Sequence, residues 1–212
     1  MSERPELWVK ICGVTREEDA RAAVAAGASA LGLNFVTRSK RYVDVALARR
    51  LADAVRGEIE LVGVVADEPV ERIRELMLEV GLDSVQLHGG EPPEFLQALP
   101  KAFKAIGIEG PSDVSAAQAF VGARLLVDAK SAGVTGGTGH AFDWRLVEAL
   151  ARRRPIILAG GLRPDNVADA VRQVAPYGVD VAGGVELEGE PRHKDADKIK
   201  RFIENARNAV QR

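Results

Sequence analysis

The sequence predicts an α/β protein of the (β/α)8 TIM-barrel class, and three observations carry that prediction. Short β-branched runs alternate along the chain with Ala, Leu, Arg and Glu stretches of helical period, the pattern of a parallel sheet covered by helices. Eight such units follow one another. Spread over 212 residues they take about 26 residues each, which suits a closed barrel at the compact end of its size range. An open doubly wound sheet is the competing arrangement, but its G-x-G-x-x-G fingerprint is missing after the first strand, where Cys12-Gly13-Val14-Thr15-Arg16 stands.

The first unit joins a strand over 8–12 to a helix over 17–26, with Thr15 near its start and Gly27 at its stop. The second runs 30–35 then 45–55, with Asp44 as cap and Gly57 just beyond; the third runs 60–65 then 70–80 and stops at Gly81. The fourth is 84–88 then 92–99, and the fifth 103–108 then 112–120, capped by Ser112. The sixth is 125–129 then 143–151 from Asp143, the seventh 156–160 then 163–174 with Asp165 near its start, and the eighth 179–182 then 196–209. No linker, repeat or low-complexity stretch divides the chain, so residues 1–212 read as one domain. The longest irregular segment, 130–142, is glycine-rich and reads as an active-site loop.

Composition narrows the partner. With 29 Lys+Arg against 31 Asp+Glu, a net charge of -2 speaks against a nucleic-acid backbone or an anionic membrane, and the 5% aromatic content against base stacking. A small soluble molecule is the expected partner. The N-terminal residues carry no apolar targeting segment, and no run approaches the roughly 18 apolar residues of a membrane span, so a cytoplasmic location is expected. The single cysteine, Cys12, excludes an internal disulfide and a cysteine-rich zinc site.

A barrel builds its active site at the C-terminal ends of its strands. The polar residues there are Lys10, Cys12, Asn34, Asp67, His88, Asp128 and Lys130, joined by the pairs Gly160-Gly161 and Gly183-Gly184. The two-residue strand period puts Lys10 with Cys12, Gln86 with His88, and Arg124 with Asp128 on shared faces. The glycine pairs follow strands seven and eight, where this fold often binds phosphate; bare backbone N–H groups there suit an anion, against the plainer reading of tight turns. Cys12 reads as a buried small hydrophobe or a catalytic thiol. Asp128 reads as a functional acid or a partner of Lys130 or Arg124, and His88 as a site residue or a turn cap. The run Arg38-Ser39-Lys40-Arg41 is either a solvated loop or a cation placed over an acidic substrate.

Several stretches together carry a family pattern: Lys10-Ile11-Cys12-Gly13-Val14-Thr15, Ser39-Lys40-Arg41, Val85-Gln86-Leu87-His88-Gly89, Leu126-Val127-Asp128, Gly136-Gly137-Thr138-Gly139, Leu158-Ala159-Gly160-Gly161-Leu162 and Gly184-Val185-Glu186. In this order the chain resembles the phosphoribosylanthranilate isomerase family of tryptophan biosynthesis over essentially its whole length. The resemblance implies an Amadori rearrangement of N-(5-phosphoribosyl)anthranilate to 1-(2-carboxyphenylamino)-1-deoxyribulose 5-phosphate. It implies Cys12 as general base, Asp128 as general acid, Arg41 and His88 at the anthranilate end, Gly160, Gly161, Gly183 and Gly184 around the phosphate, and Lys10, Gly137 and Thr138 in support. No metal or organic cofactor is implied, and the chain is expected to act as a monomer or homodimer. A free thiol is a weak base near neutrality, so Lys10, two residues back, is the expected cation that lowers the pKa of Cys12.

Three departures from the family pattern bear on the site. Lys40 stands where proline is common, which removes a rigid turn before Arg41. Ala182-Gly183-Gly184 replaces Ser-Ser-Gly, which removes hydroxyl donors to phosphate, and Arg192-His193-Lys194-Asp195 replaces the usual Gly-(Lys/Ile/Val)-Lys-Asp before the last helix, with His193 or Arg192 as the expected substitute for those donors. The alternatives are another phosphosugar barrel enzyme, either an isomerase of the histidine-pathway aminoaldose or a Schiff-base aldolase using Lys10, Lys104 or Lys130, and a non-catalytic barrel scaffold.

Overall fold

A computed structural model of the protein describes residues 6–128 and 144–210. Its eight parallel strands are β1 (Trp8–Cys12), β2 (Ala30–Asn34), β3 (Glu60–Val65), β4 (Ser84–Leu87), β5 (Ala102–Gly107), β6 (Leu125–Asp128), β7 (Ile156–Ala159) and β8 (Gly178–Val181). They close into a barrel in sequence order, with β1 paired to both β2 and β8. The helices are α1 (Glu17–Ala25), α2 (Val45–Ala54), α3 (Val70–Val80), α4 (Glu94–Ala98), α5 (Pro111–Ala117), α6 (Arg145–Ala151), α7 (Val167–Val174) and α8 (Ala196–Val210). The expected barrel and its unit order are therefore present. Among the described residues no helix is long and apolar enough to cross a membrane.

The buried apolar residues fall into two groups. Trp8, Ala30, Val62, Phe103, Ala105, Leu126, Ile157 and Ala159 come from strands alone and fill the barrel interior. Their strand neighbours of opposite parity, such as Val9, Leu31, Val85 and Val179, join the helices in the larger outer core. Lys10 and Gln86 have the inward parity and are nonetheless buried, so the barrel axis carries a polar layer above an apolar one.

Element ends differ from the sequence expectation in ways that side chains explain. Asp44 caps α2 as expected, its Oδ1 accepting from Leu47 N at 2.7 Å. Gly27, Gly57 and Gly81 all hold positive φ, and Gly81 is the left-handed cap of α3. Thr15 does not cap α1; its Oγ1 donates to Arg192 O at 2.6 Å. Ser112 is not the cap of α5 either, because Pro111 already occupies the helix start and Asp113 Oδ2 turns back to accept from Gly110 N at 3.0 Å. Asp165 gives way to a turn in which Asn166 Oδ1 accepts from Arg163 N at 2.7 Å, so α7 begins only at Val167. Asp143 lies outside the described residues.

One feature of the chain path has no counterpart in the sequence reading. Between β8 and α8 a 3-10 turn (Gly183–Val185) leads into a hairpin of β9 (Glu186–Leu187) and β10 (Glu190–Lys194). Thr15 holds it at Arg192 O, and Asp19 Oδ2 accepts from Lys194 N at 3.0 Å, so the hairpin is fastened beside the mouth of β1.

Candidate active site

A cavity of about 780 Å3 opens at the C-terminal ends of the strands. Cys12, Arg41, His88 and Asp128 line it together with Gly160, Gly161, Gly183 and Gly184, so the candidates for the acid–base pair, the anthranilate end and the phosphate meet in one place. Lys130, Gly137 and Thr138 lie outside the described residues. Asp67 and Lys104 belong to a separate clamp under the β4–α4 connection. There Lys104 Nζ pairs with Glu91 Oε2 at 2.7 Å, Glu91 Oε1 accepts from Asp67 N at 2.8 Å, and Asp67 Oδ1 accepts from Gly90 N at 2.6 Å.

Cys12 ends β1 at the cavity floor, with Lys10 one layer below. Gly32 faces them from β2, and a Cβ there would approach Cys12 Sγ to 2.8 Å and Lys10 Cε to 3.0 Å. Lys10 is completely buried, and its Nζ donates to Asp180 Oδ1 at 2.7 Å and to Gln86 Oε1 at 2.9 Å. This corrects the expected electrostatics. Burial pushes the Cys12 thiol up, Lys10 pulls it down, and the Asp180 carboxylate pushes it up again, leaving it above the ordinary thiol value. Lys10 itself is driven down by burial but held above its usual value by Asp180 and Cys12, so it stays an ammonium.

Arg41 reaches the same cavity from the loop after β2. Its Nε and Nη2 donate to Glu186 Oε1 and Oε2 at 2.5 and 2.8 Å, a bidentate pair. Glu186 also takes Lys194 Nζ at 3.0 Å, and these two cations hold its carboxyl below the usual range against the raising effect of burial. The loop bearing Arg41 is well fixed without a proline. Ser39 Oγ accepts from Arg41 N and from Asn34 Nδ2, each at 3.1 Å, while Arg192 Nη1 donates to Tyr42 O at 3.0 Å and Lys40 O at 3.3 Å.

The last two bonds correct the expected role of Arg192. It braces the Arg41 loop and does not line the cavity, while His193 Nδ1 contacts Glu190 on the hairpin's exposed side. Neither replaces the missing serines. The glycine pairs themselves show why side chains are absent: Gly160 and Gly161 have φ of 91° and 62°, and a Cβ on Gly184 would collide with Leu162 O. The loops after β7 and β8 thus touch, leaving backbone as the lining between them. Arg163 adds a cation at this end of the cavity, half-exposed and paired with Asp165 at 3.0 Å.

On the far wall Asp128 ends β6 and His88 follows β4. Arg124 is not the partner of Asp128, since four residues of strand put it roughly 13 Å away, and its guanidinium bonds Glu60 and Ser84 at the barrel's other end. His88 is open to the cavity, yet burial among its walls holds the imidazole below its ordinary value, with Asp128 pulling the other way. Gln86 Nε2 lies 3.0 Å from His88 Nδ1. Asp180, Gln86, Glu186 and Lys194 join the site without being among the residues expected to form it. Asp180 was detectable: an acid at inward parity within Gly178–Val181 needs a buried cation, and Lys10 is the inward lysine of the neighbouring strand.

The chain matches the family described as N-(5'phosphoribosyl)anthranilate (PRA) isomerase over residues 9–205. An N-(5'-phosphoribosyl)anthranilate isomerase of Myxococcus xanthus is 46% identical over 206 residues, covering 94% of this chain and 96% of the relative. Among solved structures, the phosphoribosyl anthranilate isomerase of Thermotoga maritima superposes with a TM-score of 0.88 at 39% identity, covering 95% of this chain and 99% of that one. Another, phosphoribosyl anthranilate isomerase in complex with reduced 1-(o-carboxyphenylamino)-1-deoxyribulose 5-phosphate, has a TM-score of 0.85 at 37% identity and covers the same 95% of this chain.

Proposed function

Because the chain belongs to the N-(5'-phosphoribosyl)anthranilate isomerase family, we propose that Cys12 and Asp128 carry its chemistry as general base and general acid. The reaction is the Amadori rearrangement of N-(5-phosphoribosyl)anthranilate to 1-(2-carboxyphenylamino)-1-deoxyribulose 5-phosphate in tryptophan biosynthesis. Asp128 protonates the furanose ring oxygen; the C1–O bond breaks, and the anthranilate nitrogen supplies the electron pair that makes the C1=N iminium. Cys12, as thiolate, takes the proton from C2, giving an enolamine that gains a proton at C1 and loses the C2 hydroxyl proton to become the ketone.

The observation that supports these roles is the single cavity joining Cys12 on β1 to Asp128 on β6, far enough apart around the barrel to serve two ends of one open sugar. The Gly160-Gly161 and Gly183-Gly184 backbone faces the phosphate, and Arg41, whose Nη1 lies outside the pair with Glu186, takes the anthranilate carboxylate. A Schiff-base aldolase reading loses its described lysines: Lys10 is an ion-paired ammonium, and Lys104 is paired to Glu91 away from the cavity.

The test is turnover of freshly generated phosphoribosylanthranilate, followed by loss of anthranilate fluorescence. Cys12→Ala and Asp128→Asn should each lower kcat by at least about a hundredfold while circular dichroism and melting stay those of the parent. Near-parental turnover in either variant removes that residue from the mechanism.

A further inference from the structure

Beneath the reacting groups runs a hydrogen-bonded chain whose direction is fixed by chemistry alone. Lys10 is an ammonium with donors and no acceptor, and it donates to Asp180 Oδ1 at 2.7 Å and Gln86 Oε1 at 2.9 Å. The amide of Gln86 must therefore turn its oxygen toward Lys10 and its NH2 toward the cavity mouth. That NH2 lies 3.0 Å from His88 Nδ1. A donor facing Nδ1 requires a lone pair there, which places the ring proton on Nε2.

We propose that the Asp180–Lys10–Gln86 chain locks His88 as the neutral Nε2–H tautomer, so that His88 gives a fixed hydrogen bond to a substrate oxygen, with Gln86 as its positioning residue. This rests on the isomerase reading for the identity of the ligand, an anionic aminosugar, but not for the tautomer itself.

The alternatives each leave a buried donor facing a donor. Flipping the Gln86 amide sets NH2 against the Lys10 ammonium. Protonating His88 sets Nδ1–H against the Gln86 NH2. Gln86 is only 2% exposed, so its amide has no water to turn to in either arrangement, although the His88 ring beside it is exposed, and a buried donor left without an acceptor is costly. The charges facing His88 come from four strands: Asp128 and Asp180 favour the imidazolium, while Lys10 and Lys104 oppose it. Burial adds to the opposition, and the imidazole titrates below its ordinary value. A neutral donor beside Asp128 is useful because it orients an oxygen without competing with the acid for the proton in flight.

The experiment is long-range 1H–15N correlation on histidine-labelled protein, whose three histidines are assigned by single substitutions. The wild type should show His88 with the Nε2–H pattern and a titration midpoint below about 6.5. Gln86→Glu replaces the donor at Nδ1 with an acceptor while keeping an acceptor for Lys10. It should move the proton to Nδ1, raise the His88 midpoint, shift the acid limb of kcat/KM to higher pH and lower kcat about tenfold with KM changed less. Gln86→Met, which removes both bonds at similar shape, should yield a mixture of tautomers. An Nδ1–H pattern in the wild type overturns the proposal, and so does a Gln86→Glu protein that keeps the parental tautomer and pH profile. If Gln86→Glu does not fold, the wild-type spectrum decides. If the wild type does not turn over phosphoribosylanthranilate, the isomerase reading fails while the tautomer is still read directly.

Discussion

Cys12 enters catalysis from an unfavourable resting state. Its surroundings favour the thiol, since burial and Asp180 together outweigh the pull of Lys10, whose charge is taken up by Asp180. The thiolate fraction in the free protein is then small at neutral pH, and kcat/KM should climb with pH through the neutral range. Because the chain has one cysteine, the rate of iodoacetamide labelling reads this group alone. Asp180→Asn removes a negative neighbour and releases Lys10 toward sulfur, so the labelling midpoint should fall by about one pH unit or more, a change of ~1.4 kcal/mol per unit. Lys10→Met should move it the other way. An Asp180→Asn midpoint equal to the parent's would show that Lys10 and Asp180 do not set the thiol's acidity.

The β9–β10 hairpin acts as a brace for the Arg41 loop. Arg192 joins the two through Tyr42 O and Lys40 O, and Glu186 at the start of the hairpin grips the Arg41 guanidinium itself. Arg192→Ala should raise KM for phosphoribosylanthranilate about two- to fivefold, consistent with ~1 kcal/mol for partly exposed hydrogen bonds, with kcat little changed. His193→Ala, which removes only a contact to Glu190, should leave KM at the parental value; equal effects from the two variants would exclude the brace. This hairpin also marks the limit of what the sequence discloses. The eight units were legible because β-branched runs and helical stripes have distinct periods, and the strand-end residues Cys12, Asp128, His88 and the glycine pairs followed from that order. The hairpin strands, Glu186–Leu187 and Glu190–Lys194, are short and polar with no alternation to signal a strand. Helix starts were misplaced where Asp113 or Asn166 offered the backbone a turn that composition alone does not rank against a cap. The Lys10–Gln86–Asp180 layer was legible only in part: inward parity pairs Lys10 with Asp180 once β1 lies against β8, but Gln86 meets Lys10 from β4, a strand that is not its neighbour in the barrel.

Across the whole molecule, stability and chemistry occupy opposite ends of the barrel. At the N-terminal end of the strands Arg124 lies between two aromatic faces, 4.7 Å from the Trp8 ring centroid and 4.6 Å from that of Phe103. Its guanidinium pairs with Glu60, which also accepts from Trp8 Nε1 at 3.0 Å and Ser84 Oγ at 2.6 Å, while Trp8 stacks on Tyr177. This plug closes the end of the barrel away from the cavity, so its loss should affect folding without touching the reaction. Arg124→Met should lower unfolding free energy by about 2–3 kcal/mol, less than a fully buried broken pair because the plug keeps some water contact, and leave kcat near the parental value at 25 °C. The pair also sets an acid limit. Burial alone would raise the Glu60 carboxyl, but Arg124, Ser84 and Trp8 hold it below its ordinary value. A depressed folded-state pKa contributes stability that is present above the unfolded value of about 4.3 and is lost as pH falls through the folded one. Urea midpoints measured from pH 7 down to pH 3 should therefore fall more steeply for the parent than for Glu60→Gln, which lacks this titration and starts lower at pH 7. Parallel curves would mean that the plug is held by its rings and not by the Arg124–Glu60 charge pair.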